Sequence, residues 1–205
     1  MITIIDYSAG NLRSVQRACA EVGAESVITN SPADVVKAEK IIFPGIGAAP
    51  SAMSYMAELG LDKALKEVFN KGTPILGICL GAQIVLEKSE EGDEDCLGLV
   101  SGKTVRFRLQ DKQLKIPHIG WNEVKAVRQH PVLEGLQTGD EFYFDHAFYP
   151  QPSRKEDVYA VTDYGTDFCS ALGYKNLFAV QFHPEKSGRP GLRLLERFTK
   201  WEGNI

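Results

Sequence analysis

The sequence predicts an α/β fold: a doubly wound, mostly parallel central sheet with helices on both faces and an antiparallel extension. Three observations carry that expectation. Through the first half, short apolar runs alternate with stretches of helical periodicity, the βαβ pattern of a parallel sheet covered on both faces. Positions 74–79 are apolar and end on Cys79, after which a helical pattern begins at once, so a strand meets a helix through a tight turn. Positions 103–127 change character to short strands separated by turns, as in antiparallel pairing.

Taken in order, 2–5 is an apolar run fit for a central strand, and 6–11 reads as a turn. Asn11 is placed to N-cap a helix on which Leu12, Val15, Ala18, Cys19 and Val22 share one face, with Gly23 closing it. Cys19 therefore faces the core. A strand at 26–29, a helix at 32–38 opened by Pro32 and a strand at 40–43 follow. Next comes Pro44-Gly45-Ile46-Gly47-Ala48-Ala49-Pro50, a turn whose glycines let backbone N–H groups converge on one concavity. It is no dinucleotide fingerprint, because Pro50 stands where a third glycine belongs, and a plain strand-to-helix turn remains open. Helices are expected over 51–57, 61–70 and 80–88. The acidic stretch 89–95 lacks the spacing and terminal Glu of a calcium loop and reads as a solvated loop. Strands follow at 104–107, 114–116, 121–124, 141–144, 158–162, 170–174 and 177–182, and an amphipathic helix over 190–201 closes the chain. His118 reads as a loop residue or a satisfied buried histidine rather than a ligand, since no second ligand stands at metal spacing.

With 205 residues and 43% hydrophobic content, one sizeable core and a single domain over 1–205 are expected. A net charge of −4 offers no basic face for nucleic acid. The first six residues lack a basic region and reach Asp6 early, unlike a signal peptide or membrane span, which leads to a cytoplasmic expectation with no membrane partner. The four cysteines form neither a CxxC pair nor a zinc spacing, and no metal or cofactor is expected.

Chemistry gathers at Gly77-Ile78-Cys79-Leu80-Gly81, the thiol counterpart of the G-x-S-x-G nucleophile elbow. Cys79 at a helix start would meet free N–H groups that favour a thiolate, although a lone Cys is more often an inert small hydrophobe. His183 and Glu185 are two residues apart, so an extended backbone puts both on one side, where they can act as base and orienting acid. A His-Pro-Glu turn alone is more often an exposed turn. The coincidence of elbow, glycine turn and His/Glu pair at three strand ends points to thiol-based acyl transfer.

Ile78-Cys79-Leu80-Gly81-Ala82-Gln83 together with Phe182-His183-Pro184-Glu185 resembles the class I, triad-type glutamine amidotransferases, whose doubly wound sheet is flavodoxin-like. Within that family the resemblance is to glutaminase subunits that pair with a separate (β/α)8-barrel cyclase subunit as a heterodimer. It is carried further by Asn11-Leu12-Arg13-Ser14-Val15, Phe43-Pro44-Gly45-Ile46-Gly47, Ser89-Glu90-Glu91-Gly92, Pro117-His118-Ile119-Gly120-Trp121-Asn122 and the segment from Gln181 to Gly188. The resemblance implies that Cys79, His183 and Glu185 are catalytic and that glutamine is the substrate, yielding a thioester, ammonia and then glutamate. It implies an oxyanion site at Gly45, Ile46, Gly47 and Leu80, and substrate contacts from Gln83, Glu91, His146, Ala147 and Phe148. Trp121, Asn122 and Lys186 match positions facing the partner. Glu91 is thereby moved out of the solvated loop. One departure stands out: where the family usually has His-Ser-Tyr, this chain has His146-Ala147-Phe148 and lacks two hydroxyls. A lost side-chain hydrogen bond is worth about 0.5–1.5 kcal/mol, enough to weaken glutamine binding without abolishing chemistry. Three other readings stay open: a paralogue that supplies ammonia to another synthase, such as one amidating a surface sugar; a non-catalytic regulatory module; and a cysteine hydrolase acting alone.

Overall fold

The computed structural model describes residues 1–8 and 11–204; positions 9 and 10 of the expected 6–11 turn, and the last residue of the chain, lie outside them. The first half builds the parallel sheet. Its strands are β1 (Ile2–Ile5), β2 (Ser26–Thr29), β3 (Lys40–Gly45) and β4 (Ile75–Cys79), joined through helices α1 (Leu12–Glu21), α2 (Pro32–Val36), α3 (Ala49–Leu59) and α4 (Leu61–Lys71). After β4 come α5 (Leu80–Ile84), β5 (Lys88–Ser89), β6 (Glu94–Asp95), β7 (Gly102–Arg106), β8 (His118–Glu123) and β9 (Lys125–Ala126). The chain finishes with β10 (Glu141–His146), β11 (Phe148–Pro152), β12 (Val158–Asp163), β13 (Asp167–Tyr174), β14 (Leu177–Val180) and α6 (Gly188–Lys200).

The central sheet has the order β2-β1-β3-β4-β14-β13-β12-β9. From β2 to β14 the neighbours are parallel, and β13, β12 and β9 add on antiparallel. Strand residues alternate between two cores, as a sheet buried on both faces requires. Ile41, Phe43 and Ile75 pack with α2, α3 and α4, while Ile42, Leu76 and Ile78 pack with α1 and α6. Cys19 is buried in the second core, as its helical position predicts.

Several expectations need correction. The antiparallel extension comes from β12, β13 and β9; apart from β9, the strands of 103–127 pair elsewhere, β8 with β10 in a two-stranded ribbon and β7 in a four-stranded sheet with β11, β5 and β6. Positions 114–116 form no strand: Leu114 lies over Gly165, and the Lys115 carbonyl accepts from the Tyr164 hydroxyl at 2.8 Å instead of from a strand neighbour. The helix expected over 80–88 stops at Ile84 because the carbonyls of Ile84, Val85 and Leu86 accept from the N–H groups of residues 97–100, which crosses the chain over the helix end. The stretch 89–95 is a hairpin rather than a solvated loop, with Ser89 fully buried and the Glu90 carboxylate accepting from the Arg106 N–H at 3.0 Å. Strand β11 adds to the strands expected from sequence; it carries Pro150 and Pro152 but pairs only with β7, so their missing donors face away from the ladder. Asn11 does occupy the N-cap position of α1, but its side chain makes no capping bond there.

Candidate active site

The elbow forms where β4 ends. Cys79 has φ 54° and ψ −105°, a positive φ outside the range comfortable for a residue with a Cβ. The flanking glycines are needed for close approach rather than for unusual dihedrals: a Cβ on Gly81 would stand 2.0 Å from the Phe43 carbonyl oxygen, and one on Gly77 would stand 2.9 Å from the Ala179 Cβ. The turn is thus wedged between the neighbouring strands, with Cys79 itself taking the strained conformation. Gly45 is the register partner of Cys79 across β3 and β4, which lays the glycine strip directly beside the sulfur.

From the other side, β14 brings His183. The segment Pro184–Lys186 is a 3-10 turn, so His183 and Glu185 meet by the chain folding back and not by extended alternation. His183 Nδ1 is 2.8 Å from Glu185 Oε1, and both side chains are almost wholly buried. The Asn11 amide donates to the same carboxylate oxygen, which fixes its direction. The main chain at His183 is anchored as well: its N–H donates to the Tyr143 carbonyl at 2.9 Å, and Ser187 Oγ donates to its carbonyl at 2.6 Å while accepting from the Tyr143 N–H at 3.0 Å. Burial alone would lower the basicity of His183, but the adjacent Cys79 sulfur and the Glu185 carboxylate outweigh it and push the imidazole up to about 10. A proton is therefore held on the imidazole beside the sulfur. Among the other thiols, burial pushes Cys19 up to about 11, and Cys96 and Cys169 up to about 12, which keeps them neutral.

Cys79 opens into a cavity of about 400 Å³. Ile46, Gly47, Leu80, Gln83, Glu91, His146, Ala147 and Phe148 are among the residues that line it. Glu91 Oε2 also accepts from the Ala49 N–H at 2.8 Å, so this carboxylate completes the start of α3 while facing the cavity. The size fits a small polar molecule of amino-acid dimensions.

The wall around Phe148 is held by a buried polar chain whose proton positions follow from one fixed acceptor. The Phe148 carbonyl can only accept, so His146 Nδ1, at 2.8 Å, carries the proton. His146 Nε2 is then an acceptor for His118 Nδ1 at 3.1 Å, and His118 Nε2 accepts from the Asn122 amide at 3.4 Å. His118 is thus a satisfied buried histidine at the start of β8. Burial lowers His118 to about 4 and His146 to about 3, keeping both rings neutral. Both His146 ring nitrogens are committed inside the fold, so it meets the cavity as support for the wall.

Trp121 and Lys186 face outward: Trp121 is 55% exposed, and the Lys186 ammonium lies 5.4 Å from the Tyr143 ring centre. Asn122 differs, because its amide donates to the Asp163 carbonyl at 2.9 Å and its Oδ1 accepts from the Glu123 N–H at 2.8 Å; the side chain expected to face a partner is engaged within the fold. Residues that sequence reading passed over include Gln181, Ser187 and the side chain of Asn11. Only Gln181 had a usable signal, being two residues before His183 on one strand face.

A doubly wound sheet carrying a thiol elbow, a buried His–Glu pair and a glycine strip defines a class of thiol acyl-transfer folds. Solved structures agree on the fold: one described as "Crystal structure of glutamine amidotransferase" superposes with a TM-score of 0.75 at 19% identity, covering 97% of this chain and 100% of that one. The glutaminase domain of Trypanosoma brucei CTPS with bound acivicin superposes with a TM-score of 0.68 at 15% identity, covering 100% of this chain and 97% of that one. The family profile "Glutamine amidotransferase class-I" matches residues 3–201, and the chain belongs to that family. Curated relatives named "Imidazole glycerol phosphate synthase subunit HisH" include one from Desulfovibrio desulfuricans, 48% identical, with 98% of this chain and 94% of that one covered. Another, from Chromobacterium violaceum, is 43% identical with 100% and 99% covered.

Proposed function

We propose that the chain is the glutaminase subunit of an imidazole glycerol phosphate synthase. It hydrolyses glutamine to glutamate and ammonia and delivers the ammonia to a (β/α)8-barrel cyclase subunit in a cytoplasmic heterodimer, which makes imidazole glycerol phosphate and AICAR for histidine biosynthesis. The observation that carries this reading is the Cys79–His183–Glu185 constellation within a chain 43–48% identical, over nearly its whole length, to subunits of that synthase.

In the proposed reaction Cys79 Sγ attacks the glutamine carboxamide carbon. His183, held by Glu185, carries the thiol proton and passes it to the departing nitrogen as the C–N bond breaks, releasing ammonia. The oxyanion is met by backbone N–H groups of Leu80 and of the Gly45-Ile46-Gly47 strip. Water, deprotonated by His183, then cleaves the thioester to glutamate. Gln83 and Glu91 hold the amino-acid end of the substrate, and the main chain of His146, Ala147 and Phe148 forms the facing wall. Trp121 and Lys186 lie on the face that meets the cyclase.

Free ammonia in neutral water is mostly protonated and no longer nucleophilic, which favours a dry path into the partner and an idle thiol in its absence. The test is glutamate release by the chain alone, with the cyclase subunit, and with that subunit loaded with its nucleotide substrate. Strong stimulation by the loaded partner is expected; equal rates in all three would remove the partner dependence. The Ala147 and Phe148 departures favour a second reading, a paralogue serving another synthase, in which case the histidine-pathway cyclase gives no stimulation.

A further inference from the structure

The five residues of α5 make a weak dipole, so the thiolate that a helix start was expected to favour needs another source of support. A second donor stands at the sulfur. Gln181 Nε2 lies 3.6 Å from Cys79 Sγ, and Gln181 is fully buried. Its orientation is dictated by neighbours. Gln83 presents one amide atom to the Phe148 carbonyl at 2.8 Å, and since that carbonyl only accepts, the atom is nitrogen. The same nitrogen is 3.1 Å from Gln181, whose facing atom must therefore be its oxygen. This leaves the Gln181 nitrogen directed at the sulfur. Turning the amide over would set two N–H donors against each other and place a carbonyl oxygen on the sulfur. The main chain is tied too, by the Gln181 N–H to the Ser170 carbonyl at 2.9 Å.

We propose that Gln181 is the second hydrogen-bond donor to the Cys79 sulfur, stabilising its thiolate and aiming it into the cavity, with the amide locked in that sense by Gln83 and the Phe148 carbonyl. The inference rests on the reading of Cys79 as the nucleophile. It gives the buried Gln181 a task in the first step: negative charge on sulfur is met by the imidazolium of His183 on one side and an amide N–H on the other. It also ties the aim of the sulfur to Gln83, so that the group proposed to hold substrate and the group that attacks it share one hydrogen-bonded unit.

The test is the pH dependence of Cys79 alkylation by iodoacetamide, read by mass spectrometry on the Cys79 peptide in the full chain, with the three other thiols as internal references. Gln181→Met keeps the length and removes the donor. A charge-assisted hydrogen bond of the usual strength corresponds to an upward shift of the alkylation midpoint by about one to two pH units. Gln181→Glu, of nearly equal volume, serves should the apolar replacement disturb folding; its carboxylate repels a thiolate and raises the midpoint at least as far. Turnover with the loaded partner should fall about tenfold or more in either variant. A midpoint equal to that of wild type in a folded variant overturns the inference while leaving Cys79 as the nucleophile. Wild-type Cys79 that alkylates no more readily than the three other thiols removes the nucleophile reading itself.

Discussion

Cys79 adopts φ 54° and ψ −105° at the end of β4, and a residue with a Cβ held there costs about 1–3 kcal/mol. That strain lifts the sulfur out of the sheet toward His183 and the cavity. Replacement by glycine should therefore be more stable than replacement by alanine, the reverse of the usual order, by about 1 kcal/mol in urea unfolding. An alanine variant as stable as the glycine variant would mean that the turn carries no strain. The motif at 77–81 made the elbow legible in the sequence, but not why its two flanking positions are glycine. What they supply is clearance against Phe43 and Ala179, a demand made by neighbouring strands that no local pattern contains.

Among the elements, the turn from His183 to Ser187 holds the proposed base. Ser187 Oγ is its clasp, bonded at once to the His183 carbonyl and the Tyr143 N–H. Ser187→Ala leaves both backbone groups without that partner and should destabilise the fold by about 1–3 kcal/mol in chemical denaturation. Asn11, at the start of α1, reaches the Glu185 carboxylate across a separation of 174 residues. Asn11→Ala should lower kcat about tenfold with KM little changed, because the carboxylate loses the contact that aims it at the imidazole; a KM effect alone would place Asn11 with substrate instead. Strands and helices of the first half were readable because their burial repeats with simple periods. The short α5 and the placement of the 103–127 strands were not, because both depend on hydrogen bonds from distant segments.

Across the whole molecule, three buried neutral histidines set the response to acid. Burial lowers His118 to about 4, His130 to about 4 and His146 to about 3, so between these values and about 6.5 the unfolded chain binds more protons than the folded one. Stability is then lost as pH falls below about 6.5, by up to about 1.4 kcal/mol per group and pH unit. His183, raised to about 10, acts oppositely: its contribution is complete below about 6.5 and disappears as pH rises through its folded value. Urea unfolding should thus give greatest stability near neutrality and a steep fall by pH 5. His130→Gln, remote from the cavity, should flatten that fall by about a third, and an unchanged slope would mean that His130 is protonated in the folded state. At this scale the fold class was legible from the alternating pattern of the first half, and the proposed reacting residues from 78–83 and 182–185. His118 was readable as a satisfied buried histidine and Gln181 from its place two residues before His183, but the reach of the Asn11 side chain to Glu185 was not legible, since it arises only when the start of α1 meets the turn after β14.

The central claim is that Cys79 forms a covalent glutamyl thioester. Rapid acid quenching of the complex with its loaded cyclase partner during glutamine turnover, followed by mass spectrometry of the Cys79 peptide, tests it most directly. A glutamyl adduct on Cys79, absent in Cys79→Ala together with glutamate release, is the expected result. Full glutaminase activity in Cys79→Ala would contradict it.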